Sequence, residues 1–252
     1  MNAVLTGALF VAGTILIALS VYAFMRRIVG DKFDDKTETL AGSVIFRVSA
    51  LHGLILALVF AQELYDYTEL QSNLVDEATA IADIYNDIAR YGTEAQPAVQ
   101  TALARYTQLV IDEEWTLLAE DNVLSSEGWR LRETVYQALL DLNADSARQE
   151  TLRSHMIEKI QLIAELRQER ENNALHDMNL LFWVAAFAGL ILVTVPYFVF
   201  SPTPLHIALL AVYGGFSGLV MFIIFAFADP FSSPGALEPL AFERLVQQGI
   251  GD

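Results

Sequence analysis

Ala41–Gln62 reads AGSVIFRVSALHGLILALVFAQ, and Glu63–Tyr91 continues directly as ELYDYTELQSNLVDEATAIADIYNDIARY. The first segment is apolar and has the roughly 20 residues that a helix needs to cross a bilayer. The second is acidic, and neither proline nor glycine interrupts the join, so one long helix leaving the membrane is the economical reading. His52, Ile55, Val59, Gln62, Asp66, Glu69, Asn73, Asp76, Ala80, Asp83 and Asp87 follow one another at alternating spacings of three and four. Residues so spaced share a helix face. That face is mostly apolar in the first segment and mostly acidic in the second. The opposite stripe (Leu70, Leu74, Ala78, Ile81, Tyr85, Ile88) is apolar and is the side expected to pack on the rest of the domain. The acidic face meets either bulk water, as on an ordinary amphipathic helix, or the axis of an oligomer around a water-filled channel.

The chain around this helix is organised by hydropathy. Hydrophobic residues make up 54% of its 252 residues and gather in two terminal blocks, which predicts a membrane protein. A first span runs from about Ala3 to Met25. It lacks the basic start of a cleavable signal and reads as a retained transmembrane helix. A link carrying Arg26, Arg27, Lys32 and Lys36 among Asp31, Asp34, Asp35 and Glu38 leads to the second span, Gly42–Gln62. Arg47 lies near an end of that span and can snorkel to the interface. His52 lies deeper, where an ionisable group is either functional or a neutral ring hydrogen-bonded to a neighbouring helix.

From Glu63 to Asp177 the pattern is helical and extramembrane. Gly92 stops the long helix, Pro97 suits the first turn of the next, and Ser125 or Ser126 caps a third. Asp145 or Ser146 caps a fourth, whose pattern Leu152, Met156, Ile160, Ile163, Leu166, Arg170 runs without glycine or proline into the third span. That span is Met178–Phe200, with Pro196 near its far end. The turn SPTP follows, then the fourth span, Leu205–Ala228, in which Gly214 and Gly218 form a small-xxx-small pair suited to close helix packing. The expected fold is therefore all-α, with four transmembrane helices and a helical domain inserted between spans two and three. It divides into a first hairpin (1–62), a helical domain (63–177), a second hairpin (178–228) and a C-terminal tail (229–252).

Enzyme chemistry finds little support in these residues. There is no cysteine, so no thiolate ligand or nucleophile. His52, His155, His176 and His206 are dispersed. His155 and Glu158 make half of a di-iron motif whose second copy is missing, so neither metal nor cofactor is expected. Asp112-Glu113-Glu114 reads most simply as a wet helix surface. No glycine-rich phosphate loop, nucleophile elbow or HExxH is present. A net charge of −16 argues against nucleic acid and for attraction of cations.

Further short motifs fall in a telling order: Arg26-Arg27 after span one, Glu77-Ala78 within VDEATAIADIYN, Arg167 and Arg170 ahead of span three, and Asp229-Pro230-Phe231 after span four. Together they make the chain resemble the bestrophin-like family of bacterial membrane proteins, distantly related to the bestrophin ion channels. The resemblance implies a homo-oligomer, a pentamer, in the bacterial inner membrane, with the lipid bilayer and inorganic ions as its partners. It also implies that the second span lines the pore. A pore neck would then fall on His52, Ile55 and Val59, and a vestibule on Gln62, Asp66, Glu69, Asn73 and Asp76. Rings of Asp66 and Glu69 repel anions, so cation permeation is expected. Bestrophins follow their related motif with a calcium-binding acidic run. Here Ser232-Ser233-Pro234-Gly235 stands instead, and no calcium clasp is expected.

The basic link between spans one and two puts the link in the cytoplasm and the helical domain outside, by the positive-inside rule. Bestrophin topology implies the reverse. The competing functional class is a non-conducting sensor or scaffold whose helical domain binds a partner or ligand.

Overall fold

A computed structural model describes residues 2–30, 33–175 and 178–250; Asp31, Lys32, His176 and Asp177, named above, lie outside them. It is helical throughout its regular structure and resolves into two compact units, one of residues 1–66, 177–229 and 233–235, the other of residues 67–176, 230–232 and 236–252.

The first unit contains α1 (Ala3–Val29), the first part of α2 (Asp35–Tyr91), α7 (Leu180–Thr194) with a 3₁₀ turn at Val195–Val199, and α8 (Pro204–Ala228). Among the described residues, four helices are long and apolar enough to cross a membrane. Asn2 caps α1, its side chain accepting from the Val4 N–H at 3.0 Å. The α1–α8 contact is built on glycine. A Cβ on Gly218 would lie 2.2 Å from Thr14 Oγ1 and 2.7 Å from the Phe10 carbonyl oxygen, and one on Gly214 would lie 3.1 Å from the Thr14 carbonyl oxygen. Pro196 lies in the 3₁₀ turn that closes span three. The carbonyl groups freed there are satisfied from α1, because Arg26 Nη1 donates to Phe198 O and Phe200 O at 3.1 and 2.9 Å and Tyr22 donates to Phe200 O at 2.9 Å.

The second unit holds the remainder of α2, then α3 (Gln96–Leu109), a π-helical turn at Val110–Glu114, α4 (Trp115–Glu120), α5 (Ser126–Leu140), α6 (Ala147–Leu175) and α9 (Leu240–Gln247). Gly92 ends α2 with φ of 74°, a left-handed conformation that glycine adopts without a Cβ penalty. Pro97 lies in the first turn of α3, and Ser125 caps α5 by accepting from the Glu127 N–H at 3.2 Å. The apolar stripe of α2 does pack inward: Leu70, Leu74, Ala78, Ile81 and Ile88 are buried against Val99, Leu103, Leu139, Met156 and Ile160.

Two expectations are corrected. The run from α6 into span three is not one helix. Asn179 accepts from the Leu181 N–H at 2.9 Å and starts α7 afresh, because an asparagine side chain competes for the backbone donors that a continuing helix would use. Nor is the C-terminal stretch a tail. Phe231, Leu237, Phe242, Leu245 and Ile250 are buried in the core of the helical unit, and the Trp115 indole donates to Leu237 O at 2.8 Å.

Candidate functional site: an exposed face of helix α2 backed by a buried charge cluster

Along α2 the proposed stripe divides by exposure. Ile55, Gln62, Glu69 and Asp76 are exposed, and Val59, Asp66 and Asn73 are half-buried. Gln62 donates to both carboxylate oxygens of Asp66, at 2.8 and 3.0 Å, and Asn73 donates to Glu169 at 2.8 Å. Ala80 and Asp87 are buried. Asp87 accepts from Arg90 at 2.7 Å and faces His155 Nδ1 at 2.8 Å.

His52 leaves the stripe altogether. It is 3% exposed, with Nε2 3.0 Å from the Ala186 carbonyl oxygen and Nδ1 2.7 Å from the Tyr213 hydroxyl. A carbonyl can only accept, so Nε2 carries a proton and donates to Ala186, while Nδ1 shares a hydrogen bond with the Tyr213 hydroxyl. Gly189 makes the room, since a Cβ there would lie 2.2 Å from the ring. The ring is committed to α7 and α8 and cannot also line a neck, so the expectation that placed His52 there is corrected.

Behind the exposed face of α2, inside the helical unit, lies a cluster of five buried polar residues. Arg167 and Arg170 come one turn apart from α6, Glu114 from the π turn, Tyr106 from α3 and Glu77 from α2, and none is more than 1% exposed. Arg167 grips Glu114 with both terminal nitrogens, Nη1 donating to Oε2 at 2.7 Å and Nη2 to Oε1, and Nη2 also donates to Ser125 O at 2.9 Å. Arg170 Nη2 donates to Glu114 Oε2 at 2.9 Å. Tyr106 donates to Glu77 Oε1 at 2.5 Å and accepts from Arg167 at 3.3 Å. Arg170 Nη1 stands 3.2 Å from Glu77 Oε2, yet neither atom has a hydrogen bond. Aromatic rings pack around the guanidinium groups, Trp129 and Tyr106 on Arg167, Trp115 and Phe242 on Arg170.

The electrostatics follow from this packing. Burial drives the Glu77 carboxyl above its ordinary range, although Arg170 and the Tyr106 hydrogen bond pull the other way. The Tyr106 hydroxyl is pushed up by burial and by the neighbouring Glu77. Burial opposes the Arg167 charge, but Tyr106 and Glu114 overcome it and raise its proton affinity. With all four ionisable partners charged, two arginines balance two glutamates. Removing one member of such a buried set leaves an uncompensated charge, at a cost of about 3–5 kcal/mol.

The cluster gathers Glu77, Arg167 and Arg170, three residues singled out in sequence for the resemblance they carry. Phe231 joins through packing, its ring meeting Trp115 edge-on at 5.7 Å, while Pro230 O accepts from the Leu237 N–H at 2.8 Å outside the cluster. Asp229 caps the end of α8. Glu114 and Tyr106 are the members that sequence reasoning missed. The reading of Asp112-Glu113-Glu114 as wet surface holds for the first two and fails for Glu114, which is 0% exposed. A π turn inserts an extra residue into the helix and so changes which side chain points inward. A signal was present on α6, where Arg170 continues a stripe of buried apolar residues. Gly128 leaves the room the cluster needs, since a Cβ there would stand 2.3 Å from Arg167 Nη2.

A family model for the bestrophin-like domain matches residues 12–242. Solved structures share the fold. A mutant of a bacterial bestrophin homologue from Klebsiella pneumoniae is 12% identical, with a TM-score of 0.62 over 96% of this chain and 97% of that one. Another mutant of that homologue matches at 12% identity and TM-score 0.60, over 99% and 98% of the two chains. A structure described as a membrane protein matches at 11% identity and TM-score 0.61, over 97% of each chain. No curated protein matches in sequence.

Proposed function

The chain belongs to the bestrophin-like family, and from that premise we propose that it is a homo-oligomeric ion channel of the bacterial inner membrane, a pentamer, with α2 lining its path. One observation carries the reading. A single helix of 57 residues joins an apolar span to an acidic extramembrane segment, and keeps polar side chains exposed on one side while the other is buried in a core. Around an oligomer axis, Ile55 and Val59 would form an apolar neck that gates by dewetting. Gln62, Asp66, Glu69, Asn73 and Asp76 would line the vestibule beyond it. Carboxylate rings at Asp66 and Glu69 attract cations and repel anions, so cation permeation is favoured.

The test is current through a planar bilayer holding the purified protein between unequal potassium chloride solutions. The expected reversal potential lies near the potassium equilibrium value, and the paired exchange Asp66→Asn with Glu69→Gln shifts it towards the chloride value. A wild-type reversal near the chloride value would overturn the cation assignment and turn the acidic face to bulk water. Silence from inserted, oligomeric protein would favour a non-conducting sensor or scaffold.

A further inference from the structure

Arg47 is the only Lys, Arg, Asp or Glu in the apolar stretches 3–25, 42–62, 180–199 and 204–228. Its charge is permanent, since a guanidinium in a protein is not deprotonated. Charged side chains inside spans are rare against lipid and almost always face the bundle interior or a water-filled cavity. The packed side of α2 excludes the first of these. In this unit the buried line of the helix is Ala41, His52, Leu56 and Glu63. At about 100° per residue, Arg47 stands about 140° from His52 and about 180° from Leu56. Its side chain is exposed, and among the described residues none meets it in a salt bridge or hydrogen bond. Arg47 instead extends the open line of the helix. Arg47, Leu51, Ile55, Leu58, Gln62 and Glu69 are all exposed and follow one another at steps of three, four or seven. Ile55, Gln62 and Glu69 are the residues assigned above to the channel's path. Phe46, 75% exposed, marks a different side, because one residue turns the helix by about 100°.

We propose that Arg47 faces the same water-filled path, and that the assembled copies set a ring of guanidinium groups on the far side of the neck from the acidic vestibule. The inference rests on the channel reading above. Counted along the helix, Arg47 lies about 12 Å before Ile55 and Gln62 about 11 Å after it, so the arginines and the carboxylates take opposite ends of the neck. Inorganic anions gather at a ring of arginines, and cations gather at rings of carboxylates. A cation therefore meets attraction on one side of the neck and repulsion on the other. Potassium current should be larger when driven from the vestibule side than towards it.

The experiment exploits a sequence without cysteine. Arg47→Cys and Phe46→Cys each give the full-length protein a single thiol at almost the same depth, and both positions are exposed, so neither change leaves a hole in the core. Each variant is reconstituted in lipid vesicles with a charged, water-soluble methanethiosulfonate on both sides of the membrane, and labelling is read by mass spectrometry. Arg47→Cys should label about tenfold faster or more, because the reactive thiolate forms in water and not against lipid. Equal rates, or the reverse order, would overturn the proposal and place Arg47 against lipid headgroups or a neighbouring copy. Single-channel currents in symmetric potassium chloride give the second readout. Arg47→Gln should raise the weaker direction of current by about twofold or more and so reduce the asymmetry. An asymmetry that the variant leaves unchanged would overturn the ring's part in permeation. Labelling needs no conduction. A silent bilayer with selective labelling counts against the channel, whereas unselective labelling of a conducting protein counts against the ring alone.

Discussion

Gly128 lies in the first turn of α5, where alanine would ordinarily be favoured over glycine by about 1 kcal/mol. The Arg167 guanidinium reverses that preference, because a Cβ would stand 2.3 Å from Nη2 and 2.7 Å from Cζ. The arginine cannot swing aside without releasing Glu114 and Ser125. Gly128→Ala should therefore destabilise the helical unit by about 1–3 kcal/mol, the range for overpacking a filled interior. Denaturant unfolding followed by circular dichroism checks it, and a stabilised variant would mean that the guanidinium can move freely. At this scale the sequence was only partly legible. Arg170 announced itself by falling on an apolar stripe, and Glu77 and Arg167 by the resemblance. Glu114 could not be found, since Asp112, Glu113 and Glu114 all lie in the π turn, where ordinary helical spacing does not say which of them turns inward.

Periodicity gave the elements more readily than the sites. The apolar face of α2, the cap at Ser125 and the turn glycine Gly92 all act through local chemistry that a sequence displays directly. The break before α7 was less legible, because it depends on whether Asn179 spends its side chain on the Leu181 N–H, and an asparagine inside a helix looks the same in sequence. Glycine at helix contacts is intermediate. Spacing nominated Gly214 and Gly218, and packing distinguishes them: a Cβ at Gly218 meets the Thr14 hydroxyl at 2.2 Å and α1 backbone at 2.7 Å, whereas at Gly214 nothing comes nearer than 3.1 Å. Backbone cannot rotate away as a side chain can. Gly218→Ala should thus cost about 1–3 kcal/mol by forcing α1 and α8 apart. Gly214→Ala, needing only a few tenths of an ångström of adjustment, should cost visibly less. Melting temperatures of the two variants in one detergent decide it, and equal losses would show that the α1–α8 contact gives as a whole.

Over the whole molecule, 31 acidic residues oppose 15 basic ones, and the buried cluster accounts for none of that imbalance, since its two glutamates meet two arginines. The excess of negative charge therefore lies outside that cluster, part of it along α2 at the exposed Glu69 and Asp76. In a ring of copies arranged as proposed, equivalent acidic faces would converge on one axis, and their mutual repulsion opposes assembly. Salt relieves it: the screening length falls from about 30 Å at 0.01 M to about 8 Å at 0.15 M. Surface pairs such as Arg130–Glu127 and Arg105–Glu127 weaken in the same salt, but both arginines are well exposed and water already screens them. Arg167–Glu114, fully enclosed, is screened much less. Repulsion relief should win, so raising sodium chloride across that range should increase the assembled fraction measured by light scattering in detergent. The paired exchange Asp66→Asn and Glu69→Gln should flatten this dependence, because it removes two charges per copy from the converging faces. Assembly that weakens with salt would mean that attraction between unlike charges joins the copies and that the acidic faces point away from one another. The pore and its cation preference would then fall together.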